Sequence, residues 1–274
     1  MEKWRFVYSG AAEPAVNMAI DEAILVAHSE GRVPPTVRFY TWRPASLSVG
    51  FFQQVRRDVQ LDQLQRKGYG LVRRPTGGRA VLHDQELTYS LIVAEEHPLM
   101  PRSVIEAYRV LSRGLQLGYQ LLGLQADLVA LGTDEERQRY VSLGSAACFD
   151  SPSWYELVVE GKKVAGSAQW RHKGVILQHG SLLLDLNVDD LFSVLRFSSE
   201  ALRQRMRQAF AEKAVAINQL RPPVSLEEAV KAFRQGFSLG LNAELEQEEL
   251  SSYEQELAQP FTRKYKDDSW TFRR

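Results

Sequence analysis

Apolar positions along the chain switch repeatedly between a helical period and an alternating one, which predicts an irregular succession of helices and strands. A stretch opened by Pro14 carries Val16, Ile20, Ala23, Ile24 and Ala27 on one stripe and stops at Gly31, so it reads as a helix with a core face. Thr36 to Trp42 and Ser46 to Phe52 are rich in β-branched and aromatic residues, are separated by Pro44, and read as two strands joined by a turn. A short helix is expected over Asp58 to Lys67. Two strand-like pieces, Gly70 to Arg74 and Ala80 to His83, then flank Pro75-Thr76-Gly77-Gly78, and Glu86 to Ala94 is strongly β in character. Ser103 to about Leu122 forms a long helix with Val104, Tyr108, Leu111, Leu115 and Leu122 at helical spacing.

After a strand over Ala126 to Leu131 and a polar loop over Gly132 to Val141, the pattern gives a hairpin. Its arms are Tyr155 to Val159 and Lys162 to Gln169, with Glu160-Gly161 as the turn, and a strand over Val175 to Leu186 follows. Beyond Val188 the pattern turns helical: Asp189 to Leu195, Ser199 to Phe210, and Ser225 to Leu239, the last with Ser225 and Glu228 at capping-box spacing. Runs of strands that precede runs of helices place the fold in the α+β class, with a mixed sheet and flanking helices. Residues 1–187 are expected to make the sheet-bearing unit, and residues 188–274 a mainly helical extension packed on it.

Composition narrows the class. The chain has 274 residues, with 34 basic and 34 acidic side chains, 44% hydrophobic and 25% charged, the proportions of an ordinary folded protein. A strongly basic nucleic-acid binder and a charge-rich disordered chain do not fit. Cys148 is the single cysteine, so no intramolecular disulfide forms and a reducing compartment suits the chain. The start MEKWRFVYSG lacks the apolar core of a secretory signal, and no apolar run approaches the roughly 18 residues of a membrane span. A cytoplasmic protein is therefore expected. The zero net charge hides a polarised distribution: Arg56 to Arg79 holds seven basic and two acidic residues, while Glu244 to Glu256 holds six acids and no base. A solvated arginine-rich face and a surface that receives an anion or an acidic partner both remain open from charge alone.

Three places carry candidate chemistry. In Arg73-Arg74-Pro75-Thr76-Gly77-Gly78-Arg79 the adjacent glycines let backbone N–H groups approach a ligand and the arginines suit an anion, although a plain turn has the same composition. His83 and Asp84 follow as either a polar site pair or a structural strand end. On the second hairpin arm, strict alternation places Lys163, Ala165, Ser167 and Gln169 on one face, where small side chains leave room for a slender ligand beside the amine. An ammonium beside Cys148 would favour its thiolate: a thiol of pKa near 8.5 is only about 3% ionised at pH 7, and a fall of about 1.5 units makes roughly half of it reactive. The alternative for a lone cysteine is a small buried hydrophobe. No metal is expected, because ligands at metal spacing do not occur.

At RRPTGGRAVLHDQELTYS (Arg73 to Ser90), SAACFDSPSWYEL (Ser145 to Leu157) and GKKVAGSAQ (Gly161 to Gln169) the sequence resembles the LipM-type octanoyltransferases of the biotinyl/lipoyl protein ligase superfamily, over nearly its whole length. The resemblance implies that superfamily's α+β scaffold. It also implies transfer of octanoyl from acyl carrier protein to a lysine of a lipoyl-accepting protein, typically the H protein of glycine cleavage, in lipoate biosynthesis. Cys148 would carry the acyl group as a thioester and Lys163 would assist it. Arg73, Arg74, Thr76, Gly77, Gly78, His83, Ala165 and Ser167 are the expected substrate-binding residues. No ATP, metal, nucleic acid or membrane is called for. Many lipoate ligases have three glycines where this chain has Gly77-Gly78-Arg79, so their nucleotide contacts do not carry over. Three other readings share these residues: an ATP-dependent lipoate ligase, an amidotransferase moving octanoyl from H protein to dehydrogenase subunits, and a non-catalytic binding module.

Overall fold

The computed structural model describes residues 1–130 and 155–273; Cys148 and the polar loop expected over Gly132 to Val141 lie outside the described residues. The frame is an eight-stranded mixed sheet. Along the chain its strands are β1 (Glu2–Ala12), β2 (Thr36–Trp42), β6 (Glu86–Ala94), β7 (Ala126–Ala130), β8 (Tyr155–Val159), β9 (Lys162–His172), β10 (Val175–Leu183) and β11 (Ala243–Gln247). They lie side by side in the order β11-β1-β2-β6-β10-β9-β8-β7, with β11, β1 and β2 parallel and the others antiparallel to their neighbours. A second sheet has β3 (Ser46–Val49) between β4 (Gly70–Arg73) and β5 (Val81–His83). The turn at Arg43-Pro44 thus carries the chain from one sheet to the other and does not close a hairpin. The hairpin turn Glu160-Gly161 has φ of 51° and 75°, the left-handed pair that a two-residue loop between twisted strands requires.

Helices cover both faces of the large sheet. On one side α4 (Val104–Leu121) and α8 (Leu226–Leu241) pack over Phe39, Tyr89 and Leu91. Ser103 and Ser225 cap these two helices, and the Ser225–Glu228 capping box is formed. The two helices meet through glycines: a Cβ placed on Gly236 would lie 2.5 Å from Gly114 O and 2.5 Å from Gly118 N. Val104, expected to face the core, is instead exposed at the first turn. On the other side α1 (Pro14–Ser29) crosses β6 and β10 through Ile24, Leu25, Ile92 and Leu177.

Short helices α2 (Val55–Asp58) and α3 (Leu61–Arg66) replace the single one expected over Asp58 to Lys67. α5 (Val188–Val194) and α6 (Glu200–Lys213) close a separate apolar cluster over the small sheet. α7 (Ile217–Leu220) precedes α8.

The acidic run from Glu244 is no tail. β11 extends the large sheet as its edge strand, and α9 (Ser252–Lys266) begins with a capping box between Ser251 and Glu254. The Glu254 carboxylate is fully buried and receives Arg5 Nη1 at 2.8 Å. The last helix, α10 (Asp268–Thr271), returns the chain to the small sheet.

Candidate functional site

The glycine loop between β4 and β5 is built by its arginines. Arg73 is fully buried and donates to the carbonyls of Gly50, Phe51 and Gln53 at 2.8–2.9 Å and to Thr271 O at 2.8 Å, so it ties the end of the chain to the turn after β3. Trp270 Nε1 returns a bond to Arg73 O at 2.9 Å. Arg74 donates to Thr76 Oγ1 (3.1 Å), Ser48 Oγ (3.1 Å), Gly77 O (2.8 Å) and Arg79 O (2.7 Å). Arg73 thus clamps backbone carbonyls, while Arg74 clamps both the loop backbone and the Thr76 and Ser48 hydroxyls and borders the cavity described below. Gly78 adopts φ of +90°, and a Cβ on the facing Gly50 would lie 1.9 Å from Gly78 O. At Gly77 a Cβ would meet nothing within 4 Å, so the loop leaves open space there.

Two of the seven basic side chains in the segment, Arg73 and Arg74, are buried, and others stay accessible but paired. Besides Arg73 and Arg74, Arg57 pairs with Asp58 at 2.8 Å and Lys67 with Asp190 at 2.5 Å.

Two hydroxyl–imidazole–carboxylate chains start from Arg74. A guanidinium can only donate, so Ser48 Oγ accepts from it and directs its own proton to His83 Nε2 at 2.7 Å, while His83 Nδ1 donates to Glu86 Oε1 at 2.7 Å. Trp42 stacks on the His83 ring with centroids 4.1 Å apart. His83 therefore has Glu86, not the adjacent Asp84, as its carboxylate partner. In the second chain Thr76 Oγ1 accepts from Arg74 and donates to His179 Nε2 at 2.7 Å, and His179 Nδ1 faces Asp21 Oδ2 at 3.3 Å. Asp21 also receives Arg38 Nη1 at 2.6 Å, Ser90 Oγ at 2.7 Å and Tyr40 Oη at 3.0 Å. Burial pushes the Asp21 carboxyl up, but the Arg38 guanidinium and these bonds hold it below the ordinary range. Burial lowers the His179 imidazole, with Arg74 and His83 adding to the effect against the pull of Asp21. Sequence reading missed His179 and Asp21, which are 158 positions apart, and also Glu86, although its partner His83 stands only three residues before it and that spacing was the available signal.

β9 departs from strict alternation. Lys163 lies opposite Val158, yet Ala165 lies opposite Leu157, so two steps on β9 match one on β8, the signature of a β-bulge. Val164 and Ala165 consequently both enter the core that holds Leu157 and Val159. Lys163 goes to the other face and meets the buried Glu156 carboxylate at 2.9 Å. Beyond the bulge Gly166 and Ala168 share the Lys163 face, opposite Ser181 and His179 on β10. Ala165, Ser167 and Gln169 belong to the α4 side, where Tyr89 Oη donates to Ser167 Oγ at 2.7 Å and Gln169 pairs with Gln178. The small residues beside the amine are therefore Gly166 and Ala168, not Ala165 and Ser167.

A cavity enclosing about 360 Å³ of space between atoms, part of it open to solvent, lies on this same face. Met18, Tyr40, Trp42 and Val81 supply apolar wall, and Gly166 and Ala168 keep the sheet floor low, with Gly180 bordering it. Ser48, Arg74, His83, Thr88, His179 and Ser181 complete it, and Ser167 borders it. The arrangement suits a slender ligand lying along the sheet, on the face that Lys163 shares.

Comparison with known proteins shows the family and the fold. Residues 13–238 match the family model described as the lipoyl protein ligase A/B catalytic domain. An octanoyltransferase LipM of Brevibacillus brevis is 59% identical over 276 residues, covering all of both chains. The octanoyltransferase LipM of Bacillus subtilis is 54% identical over 275 residues, covering 100% of this chain and 99% of that one. A bipartite lipoate protein ligase from Thermoplasma acidophilum superposes with a TM-score of 0.83 at 24% identity, covering 99% of this chain and 97% of that one, which shows the shared fold.

Proposed function

Since the chain belongs to the lipoyl protein ligase A/B catalytic family and is an octanoyltransferase, we propose that it takes octanoyl from acyl carrier protein, holds it on Cys148, and delivers it to a lipoyl-accepting protein such as the glycine cleavage H protein. Octanoyl on a phosphopantetheine thiol is already activated. Its exchange to a second thioester is close to isoenergetic and its passage to an amide is downhill, so the route needs no ATP.

In this reading the Cys148 thiolate attacks the donor carbonyl, the C–S bond to the carrier breaks, and the departing thiolate takes the proton of the Lys163 ammonium. The acceptor lysine amine then attacks the acyl-cysteine, Cys148 leaves as thiolate, and the amine's proton returns to Lys163. Glu156 holds Lys163 in place through both steps. Backbone N–H groups at Gly77 and Gly78 are the candidates for the acyl carbonyl and its oxyanion, with Arg73, Arg74 and Thr76 fixing that loop. The observation that carries the reading is the cavity on the Lys163 face of the sheet, with Gly166 and Ala168 on its floor. No described helix is long and apolar enough to cross a membrane, and with the single cysteine this supports a cytoplasmic site of action.

Intact mass after incubation with octanoyl carrier protein tests the route. The wild type should gain one octanoyl group and pass it to apo H protein without ATP, whereas Cys148→Ala should gain none. Full activity of Cys148→Ala with ATP and free octanoate would establish the ligase reading instead, and no mass gain on H protein would defeat the donor and acceptor assigned.

A further inference from the structure

The cavity presents a contradiction: an alkyl chain is proposed for it, yet much of its wall is made of Ser48, His83, Thr88 and Ser181. The hydrogen bonds resolve it. Thr88 Oγ1 donates to Glu86 Oε1, Ser181 Oγ donates to Glu86 Oε2, and His83 Nδ1 donates to Glu86 Oε1 at 2.7 Å. Two further donors reach the same carboxylate through one intermediate each: Trp42 Nε1 bonds Thr88 Oγ1 at 2.7 Å, and the Ser48 hydroxyl bonds His83 Nε2 at 2.7 Å. Glu86 is 2% exposed and is not among the residues lining the cavity. A buried carboxylate accepts about four hydrogen bonds and donates none, so it can orient several wall donors away from the cavity at once.

We infer that Glu86 is a positioning residue for acyl selectivity, which turns the hydroxyl, imidazole and indole donors of the wall toward itself and so makes a polar-residue cavity apolar. This rests on the octanoyl-transfer reading of the site. A chain of methylenes then meets mostly carbon and aromatic faces. A 3-hydroxyoctanoyl group, by contrast, brings a hydroxyl oxygen that finds the Ser48, Thr88, His83, Trp42 and Ser181 donors already engaged, and an under-satisfied polar group is penalised on burial.

The test is a competition between octanoyl and 3-hydroxyoctanoyl thioesters of pantetheine, with the acyl-enzyme ratio read by intact mass. Discrimination by the wild type should be on the order of 100-fold, the range in which an apolar pocket rejects an added hydroxyl. In Glu86→Gln the amide offers one acceptor oxygen to three donors, at least one of which swings toward the cavity. The ratio should fall by about tenfold or more, equivalent to one hydrogen bond. Adding Ser181→Ala to Glu86→Gln should restore part of it, whereas Ser181→Ala alone should leave it near the wild-type value. A folded Glu86→Gln with unchanged ratio, or Ser181→Ala alone lowering the ratio as far, overturns the inference. If Glu86→Gln does not fold, Glu86→Asp makes the same test, because it keeps the charge and withdraws the oxygens by one methylene. A wild type that loads neither thioester defeats the transfer reading, not the inference about selectivity; the same ratio is then read from calorimetric binding of the two free acids.

Discussion

Asp21→Asn removes one charge from a position where the surrounding donors were arranged for a carboxylate. Asp21 and Arg38 are both fully buried and meet at 2.6 Å, and Asp21 is the carboxylate Arg38 bonds. The rest of the guanidinium is held by neutral groups, Asn17 O at 3.0 Å, Asn17 Oδ1 at 2.9 Å and Ser9 Oγ at 2.9 Å, and it lies 3.9 Å from the Tyr40 ring centre. Breaking a buried pair by neutralising one partner costs about 3–5 kcal/mol, because the remaining charge stays desolvated. Each Asp21 oxygen also accepts two bonds: Arg38 and Ser90 on one, Tyr40 and His179 on the other. Whichever oxygen becomes the amide nitrogen, two donors lose their acceptor, which keeps the estimate toward the upper end of the range.

For a chain of this size a loss of about 3–5 kcal/mol lowers the melting temperature by roughly 6–20 °C. Urea unfolding followed by far-UV circular dichroism measures the free energy directly, and a differential scan supplies the temperature. The double variant Asp21→Asn, Arg38→Met should recover much of the loss, since it removes the stranded charge along with its partner. A single-variant loss below about 1 kcal/mol, or a double variant as unstable as the single one, would refute the view that a stranded Arg38 charge carries the cost.

Gly236→Ala should destabilise by about 1–3 kcal/mol in the same urea assay, because the added methyl meets two backbone atoms of α4 at 2.5 Å, and this outweighs the roughly 1 kcal/mol that alanine gains over glycine in a helix. A neutral or stabilised variant would mean that the two helices separate at little cost. Stability should also depend on pH through His179. Its folded pKa lies below the ordinary 6.5, so the unfolded chain binds more protons in the window between the two values. The contribution is complete above about pH 6.5 and is lost as pH falls toward the depressed value. His179→Asn should flatten that part of the curve, and an unchanged slope just below about pH 6.5 would assign the dependence to another group.

What could be read from the sequence depended on how far away the deciding partner lay. The hairpin arms, the glycine turn, the capped helices and the β6 strand came out close to their observed bounds, because turn chemistry, caps and period are local properties. The acidic stretch was harder. β11 does alternate, with Ala243 and Leu245 buried and Glu244 and Glu246 outward, but five residues among acids look like a solvated tail until β1 is placed beside them.

The faces of β9 could not be read at all. One extra residue at Val164 reverses every later side chain, and the bulge is fixed by the pairing with β8, not by any property of GKKVAGSAQ. Lys163 shares a sheet face with Gly166 and Ala168 only through that slip; with strict alternation it would have shared the core-facing side with Ala165 and been separated from them by the sheet itself. Arg73 and Arg74 make the complementary case: residue type suggested anion binding, but Arg73 bonds carbonyls near residue 50 and at Thr271, and Arg74 bonds Ser48 and groups of its own loop. An arginine beside a glycine loop therefore distinguishes a clamp from a ligand site only after its acceptors are counted, and here the clamps shape the loop while the space they leave open lies at Gly77.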